Sequence, residues 1–205
     1  MVKGSWVPRY IGYDETATIA EGFLREHNPT RTIPIPIEEI AESRLNISIV
    51  VLPDLKMRQG LDSYLEPDLQ SIFIDEDIFD YLPRARLSIA HEIGHRTMHG
   101  AFYGQADFRD SDDYKDFRKE TLTGEADKRF EIQAFNFAGL VLVPRDELNT
   151  RFDQGLVKAR DAGFEPHNSP IYFLDYVSAW LSKEFLVTES VIKKRVEFDN
   201  LWPLF

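Results

Sequence analysis

The apolar positions follow a helical rhythm at both ends of the chain and form short strand-like runs in its first half. Over residues 16–26, Ile19, Ala20, Phe23 and Leu24 recur at the spacing of one helix face, which predicts a helix. Thr32-Ile33-Pro34-Ile35-Pro36 must be extended, because each residue ahead of a proline is pushed out of the α region. Pro36 then suits the first turn of a short helix over residues 37–43. Three strand-like runs follow, at 47–52, 61–65 and 70–74, separated by turn-rich segments such as Pro53-Asp54 and Glu66-Pro67-Asp68. A small antiparallel sheet is the economical arrangement of these runs.

From Pro83 the pattern turns helical, with Pro83 suited to the first turn and Gly100 to a C-terminal cap. Residues 103–129 are densely charged with few apolar anchors, and read as a long mobile loop with room for a short helix. Residues 130–143 are almost continuously apolar and are closed by Pro144, which predicts a buried helix. Two further helices are expected over 171–185 and 188–198. The fold class expected is therefore α+β, a small antiparallel sheet packed with a mainly helical core. The 205 residues suffice for one sizeable core, so residues 1–205 read as a single domain. Within it, residues 1–30 form an N-terminal extension and 171–198 a C-terminal helical pair.

Composition narrows the function. A 43% hydrophobic and 29% charged chain is a folded one, and its net charge of -11 argues against a nucleic-acid backbone or an anionic membrane as partner. With no cysteine, any metal must be held by His, Asp or Glu. Residues 1–13 lack the apolar stretch of a signal peptide, and no run approaches the roughly 18 apolar residues of a membrane helix. A cytoplasmic address is expected.

The helix after Pro83 carries Ala90-His91-Glu92-Ile93-Gly94-His95. Four residues along an α-helix advance one turn and about 6 Å, so His91 and His95 share a face and can share one metal ion. Glu92 lies on the flank of that face, offset for a ligand but placed for a general base. Gly94 in mid-helix costs about 1 kcal/mol relative to Ala, which suggests that another backbone or a ligand comes close. A catalytic zinc needs a third protein ligand. Glu131 is the outstanding candidate, since it shares a helical face with Phe135, Ala138 and Leu142, and a carboxylate on an apolar stripe needs a partner. Ala134, Ala138 and Gly139 are small enough to let the two helices approach. His99 extends the histidine row by another turn, too far along the axis to share the same ion, and reads as a pocket residue. His99 and Tyr103 are candidates for a second oxyanion donor, while His27 and His167 read as surface residues.

The two segments together resemble the ImmA/IrrE family of metallopeptidases. There a His-Glu-x-Gly-His helix is followed by E-x-x-A-N-x-F-A-x-x-L-L-M-P. Here the second pattern runs from Glu131 through Ala134, Phe135, Phe137, Ala138 and Leu142 to Pro144, with Phe135 in place of Asn and Val141 and Val143 in place of Leu and Met. The resemblance covers roughly residues 30–200 and treats those replacements as changes at packing positions. It implies a zinc-peptidase core with zinc ligands His91, His95 and Glu131 and Glu92 as base. It also implies a regulator that cleaves, or binds, a helix-turn-helix repressor, without a fused helix-turn-helix domain in these residues. Three readings follow: a zinc endopeptidase acting on a specific protein, a metal-containing module that binds such a protein without cutting it, and a DNA-binding regulator. The last two helices, with Lys193-Lys194-Arg195, superficially favour the last, and the acidic balance opposes it. Asp107, Asp110, Asp112, Asp113 and Asp116 in the 103–129 segment are expected to attract a basic protein partner.

Overall fold

The computed structural model describes residues 6–165 and 170–202. The elements run α1 (Tyr13–His27), α2 (Ile37–Glu39) leading into a π-turn (Ile40–Arg44), β1 (Ser48–Leu52), α3 (Leu55–Gln59), β2 (Ser63–Leu65) and β3 (Ser71–Asp75). They continue as α4 (Glu76–Phe79), α5 (Leu82–Met98), α6 (Gly100–Tyr103), α7 (Ser111–Thr121), α8 (Glu125–Leu142), α9 (Arg145–Asp161), α10 (Pro170–Phe185) and α11 (Glu189–Phe198). The class is α+β. One continuous apolar core joins α1, the sheet, α5, α8 and the last three helices.

The sheet is mixed and not purely antiparallel. Its order is β1-β3-β2, with β2 antiparallel to β3 and β1 parallel to it, Ser48 opposite Ser71 and Leu52 opposite Asp75. The cause lies between β1 and β2. Asp54 takes a left-handed conformation and α3 follows at once, so the chain crosses over instead of folding back as a hairpin. Asp75, at the end of β3, secures this crossing. Its buried carboxylate accepts from Lys56 N of α3 at 2.8 Å and caps α4 through Asp77 N and Ile78 N, satisfying donors that a helix start leaves unpaired.

One other expectation needs correcting, and one helix adds to those expected. Residues 103–129 are not a loose loop, because α7 fills 111–121. Asp110 caps it by accepting from Asp113 N, and Tyr114, Phe117 and Thr121 are buried along one face. Most of the charged residues that disguise this helix sit on its solvent side, while Arg118 turns inward. The polar stretch after Pro144 holds α9, whose buried Leu148, Phe152, Gly155 and Ala159 keep a helical spacing that sparse apolar residues make easy to pass over.

Helices α5 and α8 form the centre. They run antiparallel, with His91 beside Phe135 at one end and His99 beside Phe130 at the other. The close approach expected at Gly94 is real. A Cβ there would lie 3.1 Å from the Phe137 ring, 3.2 Å from the Ala134 carbonyl oxygen and 3.3 Å from Ala134 Cα. Gly139 has a different use, since its missing side chain admits Arg195, whose Cδ would be 3.3 Å from a Cβ. Buried Arg195 donates to the Val143 carbonyl at the end of α8 and pairs with Asp199 at 2.7 Å. That arginine of the C-terminal basic run is thus an internal clasp.

Candidate metal centre

Helix α5 delivers three of the four expected site residues on one buried turn and a half, and α8 delivers the fourth. His91 Nε2 and His95 Nε2 point at each other, 2.9 Å apart. Glu131 Oε2 lies 3.3 Å from His91 Nε2, and Oε1 lies 3.7 Å from His95 Nε2. One donor atom from each residue falls within 4.8 Å of the others. Two imidazoles and a carboxylate converging in this way can hold a divalent metal ion, and with no thiolate in the chain the set is of the kind that a hydrolytic site uses. Glu131 lies in the second turn of α8, and its side chain keeps 25% exposure, so it reaches out of the apolar stripe toward the site.

The fourth residue, Glu92, is buried beside this group. Ser63 of β2 donates to its Oε1 at 2.6 Å, while Oε2 has no hydrogen-bond partner among the described residues. Burial raises the proton affinity of Glu92 above that of an ordinary carboxylate, against the opposing pull of His91 and Ser63. Burial also acts on Glu131, but the hydrogen bond and charge of His91, with the charge of Arg118, outweigh it and keep this carboxylate ionised. The imidazoles diverge. His95 is driven well below its usual range by burial and by the neighbouring charges of His91, His99 and Arg118. For His91, burial is outweighed by Glu131 and Glu92, which hold it above its ordinary value. The site therefore concentrates negative charge on Glu131 and a proton-accepting carboxylate on Glu92.

These groups open into a cavity of about 520 Å³, walled also by Ser63, Tyr114, Arg118 and Phe135. Arg118 of α7 contacts Glu131 Oε1 at 2.8 Å and donates to Asp127 at 2.7 Å, so α7 is tied to the candidate ligand itself. Phe135 is not a core packing residue. It is half exposed, and its ring lies 4.2 Å from that of His91. Neither Tyr103 nor His99 lines the cavity. The Tyr103 hydroxyl is buried without a hydrogen-bond partner among the described residues. His99 lies behind the site, its Nδ1 2.9 Å from His95 Nδ1. His27 is packed on Phe23, not free at the surface, and His167 falls outside the described residues.

Sequence reasoning missed Ser63, Tyr114, Arg118 and Gln133. Gln133 alone left a local signal, as a polar residue close to Glu131 in a largely apolar run. The others come from segments far away in sequence, and only the fold brings them to the site.

A model of the IrrE N-terminal-like domain, from the M78 peptidases, matches residues 42–197. The chain belongs to this family. Among solved structures, the fold resembles that of a Mycobacterium tuberculosis transcriptional regulator, with a TM-score of 0.52 and 20% identity over 89% of this chain. The chain spans 46% of that protein, and the likeness is one of fold. No curated protein matches the sequence. Membership in the IrrE-like family supports a metallopeptidase-like or regulatory role. No helix among the described residues is long and apolar enough to cross a membrane.

Proposed function

We propose that this chain is a zinc-dependent endopeptidase that cleaves one specific cytoplasmic regulatory protein, such as a helix-turn-helix repressor. The observation that carries the reading is the convergence of His91 Nε2, His95 Nε2 and the Glu131 carboxylate in a cavity wall that also contains Glu92. Zinc held by these three groups would acidify a water and polarise a peptide carbonyl. Glu92 is the base. Ser63 holds its Oε1 and leaves Oε2 free to take a proton. Its raised proton affinity suits a group that must keep the proton until the amine departs. Arg118 restrains Glu131, while half-exposed Phe135 and buried Tyr114 add apolar surface to the cavity wall.

The net charge of -11 supports a basic partner, since complementary charge speeds encounter. The test compares the parent chain with Glu92→Gln. Elemental analysis should find about one zinc per chain in both. When each is added to cell extract, new peptide N-termini should appear in one or a few proteins, and only with the parent. Absence of stoichiometric metal after zinc is supplied overturns the site. Equal cleavage by both chains overturns Glu92 as base. Broad digestion of casein makes the chain a general peptidase, and a partner retained intact by the parent makes it a binding module.

A further inference from the structure

Behind the candidate ligands runs a buried chain of hydrogen bonds that leads out of the family-matched region. His95 Nδ1 is 2.9 Å from His99 Nδ1, His99 Nε2 is 2.9 Å from Gln133 Oε1, and Gln133 Nε2 donates to the Arg9 carbonyl at 2.8 Å. His95, His99 and Gln133 are all 2% exposed or less. Arg9 belongs to the N-terminal segment of residues 6–12, which has no regular secondary structure and lies before the matched span of 42–197. The segment is held at several points. Trp6 N donates to the Thr121 carbonyl at the end of α7, and the Trp6 ring packs on His99, Phe102 and Phe130.

The direction of every bond in this relay follows from its outer end. A backbone carbonyl can only accept, so the Gln133 amide must turn its NH2 toward Arg9 and its oxygen toward His99. An amide oxygen can only accept, so a neutral His99 carries its proton on Nε2 and leaves Nδ1 bare. His95 must then carry its proton on Nδ1, and the lone pair of its Nε2 faces His91 and Glu131. That is the tautomer a metal needs. His91 has no such support, since its Nδ1 is buried without a partner among the described residues.

We infer that the N-terminal segment is part of the metal centre, and that the Arg9 carbonyl, acting through the positioning residues Gln133 and His99, fixes the metal-binding tautomer of His95. The inference rests on the reading of His95 as a ligand. It assigns residues outside the family-matched span a part in the site, and it makes the two histidines of the motif unequal: His95 is preset, while His91 must rearrange.

The test has two arms, both on the full-length chain. The first measures histidine ring 15N shifts of the metal-free protein by NMR. It should find His95 protonated on Nδ1 and His99 on Nε2, and protonation of His95 on Nε2 overturns the relay whatever the metal affinity. The second measures zinc affinity by competition with a chromogenic chelator. Gln133→Met keeps the volume but removes both hydrogen bonds, and should weaken zinc about 10- to 100-fold. Gln133→Glu keeps an acceptor for His99 but loses the donor to the Arg9 carbonyl, and should stay as weak as Gln133→Met; full recovery by this variant would overturn the part given to Arg9. A parent that binds zinc no better than Gln133→Met overturns the relay alone. A parent that takes up no zinc overturns the metal reading as well.

Discussion

The floor of the site and its wall are built on different principles. The floor is two helices in backbone contact, α5 and α8, with His91, His95 and Glu131 projecting from adjacent turns and Gly94 seated against Ala134. The wall is assembled from single residues of distant elements, Ser63 of β2, Tyr114 and Arg118 of α7 and, behind it, the N-terminal segment that carries Arg9. The floor supplies the atoms that hold a metal. The wall supplies charge, orientation and exclusion of water. Floor geometry is thus set by helix periodicity, which is stiff, whereas wall geometry depends on long-range packing, which can be altered one residue at a time.

That contrast predicts a graded series of losses. The largest is at the floor: Glu131→Gln or His95→Ala should reduce zinc from about one ion per chain to near none, measured by elemental analysis after dialysis against a weak chelator. Next comes Gly94→Val, whose branched side chain has nowhere to go against Phe137 and the Ala134 carbonyl. Overpacking there should cost about 1–3 kcal/mol and lower the melting temperature by roughly 2–4 °C per kcal/mol. It should weaken zinc as well, because it pushes the third ligand away from the first two; a normal melting temperature with normal zinc affinity would show that the helix contact does not set the site. At the wall, Arg118→Met should leave the fold intact and weaken zinc about tenfold, through a Glu131 no longer held in place. A loss as deep as that of Glu131→Gln, by the same chelator competition, would erase the distinction between floor and wall. The smallest effect is expected for Phe135→Asn. A half-exposed ring at the cavity mouth contributes little to folding, so stability should stay within about 0.5 kcal/mol and zinc affinity should not change.

The same division explains what the sequence reveals. His91, Glu92 and His95 are legible because five consecutive residues on one helix fix their relative placement. Glu131 is legible because a carboxylate interrupts an apolar face, and Gly94 because its cost within a helix needs a reason. The mixed sheet is not legible. The crossover turns on a left-handed Asp54 and on the short helix after it, which a short turn-rich sequence does not decide. Arg118 is hidden for a related reason. It stands among acidic and basic residues in a segment whose helical face, Tyr114, Phe117 and Thr121, is too narrow to outweigh the charge around it. The relay through Gln133 has no sequence signature at its outer end, because its last member is a main-chain carbonyl, which every residue possesses.

The seat of Gly94 against Ala134 also acts as a length gauge. With the two backbones touching, the gap from α8 to the imidazoles is closed by the reach of a glutamate, and an aspartate at 131 would stop one methylene short. A side chain at 94 would widen that gap, and no standard carboxylate is longer than glutamate. The residue at 94 and the ligand at 131 are therefore a single choice made at two positions. A chain that gives up the glycine must move α8 outward, and the glutamate has no length in reserve to follow.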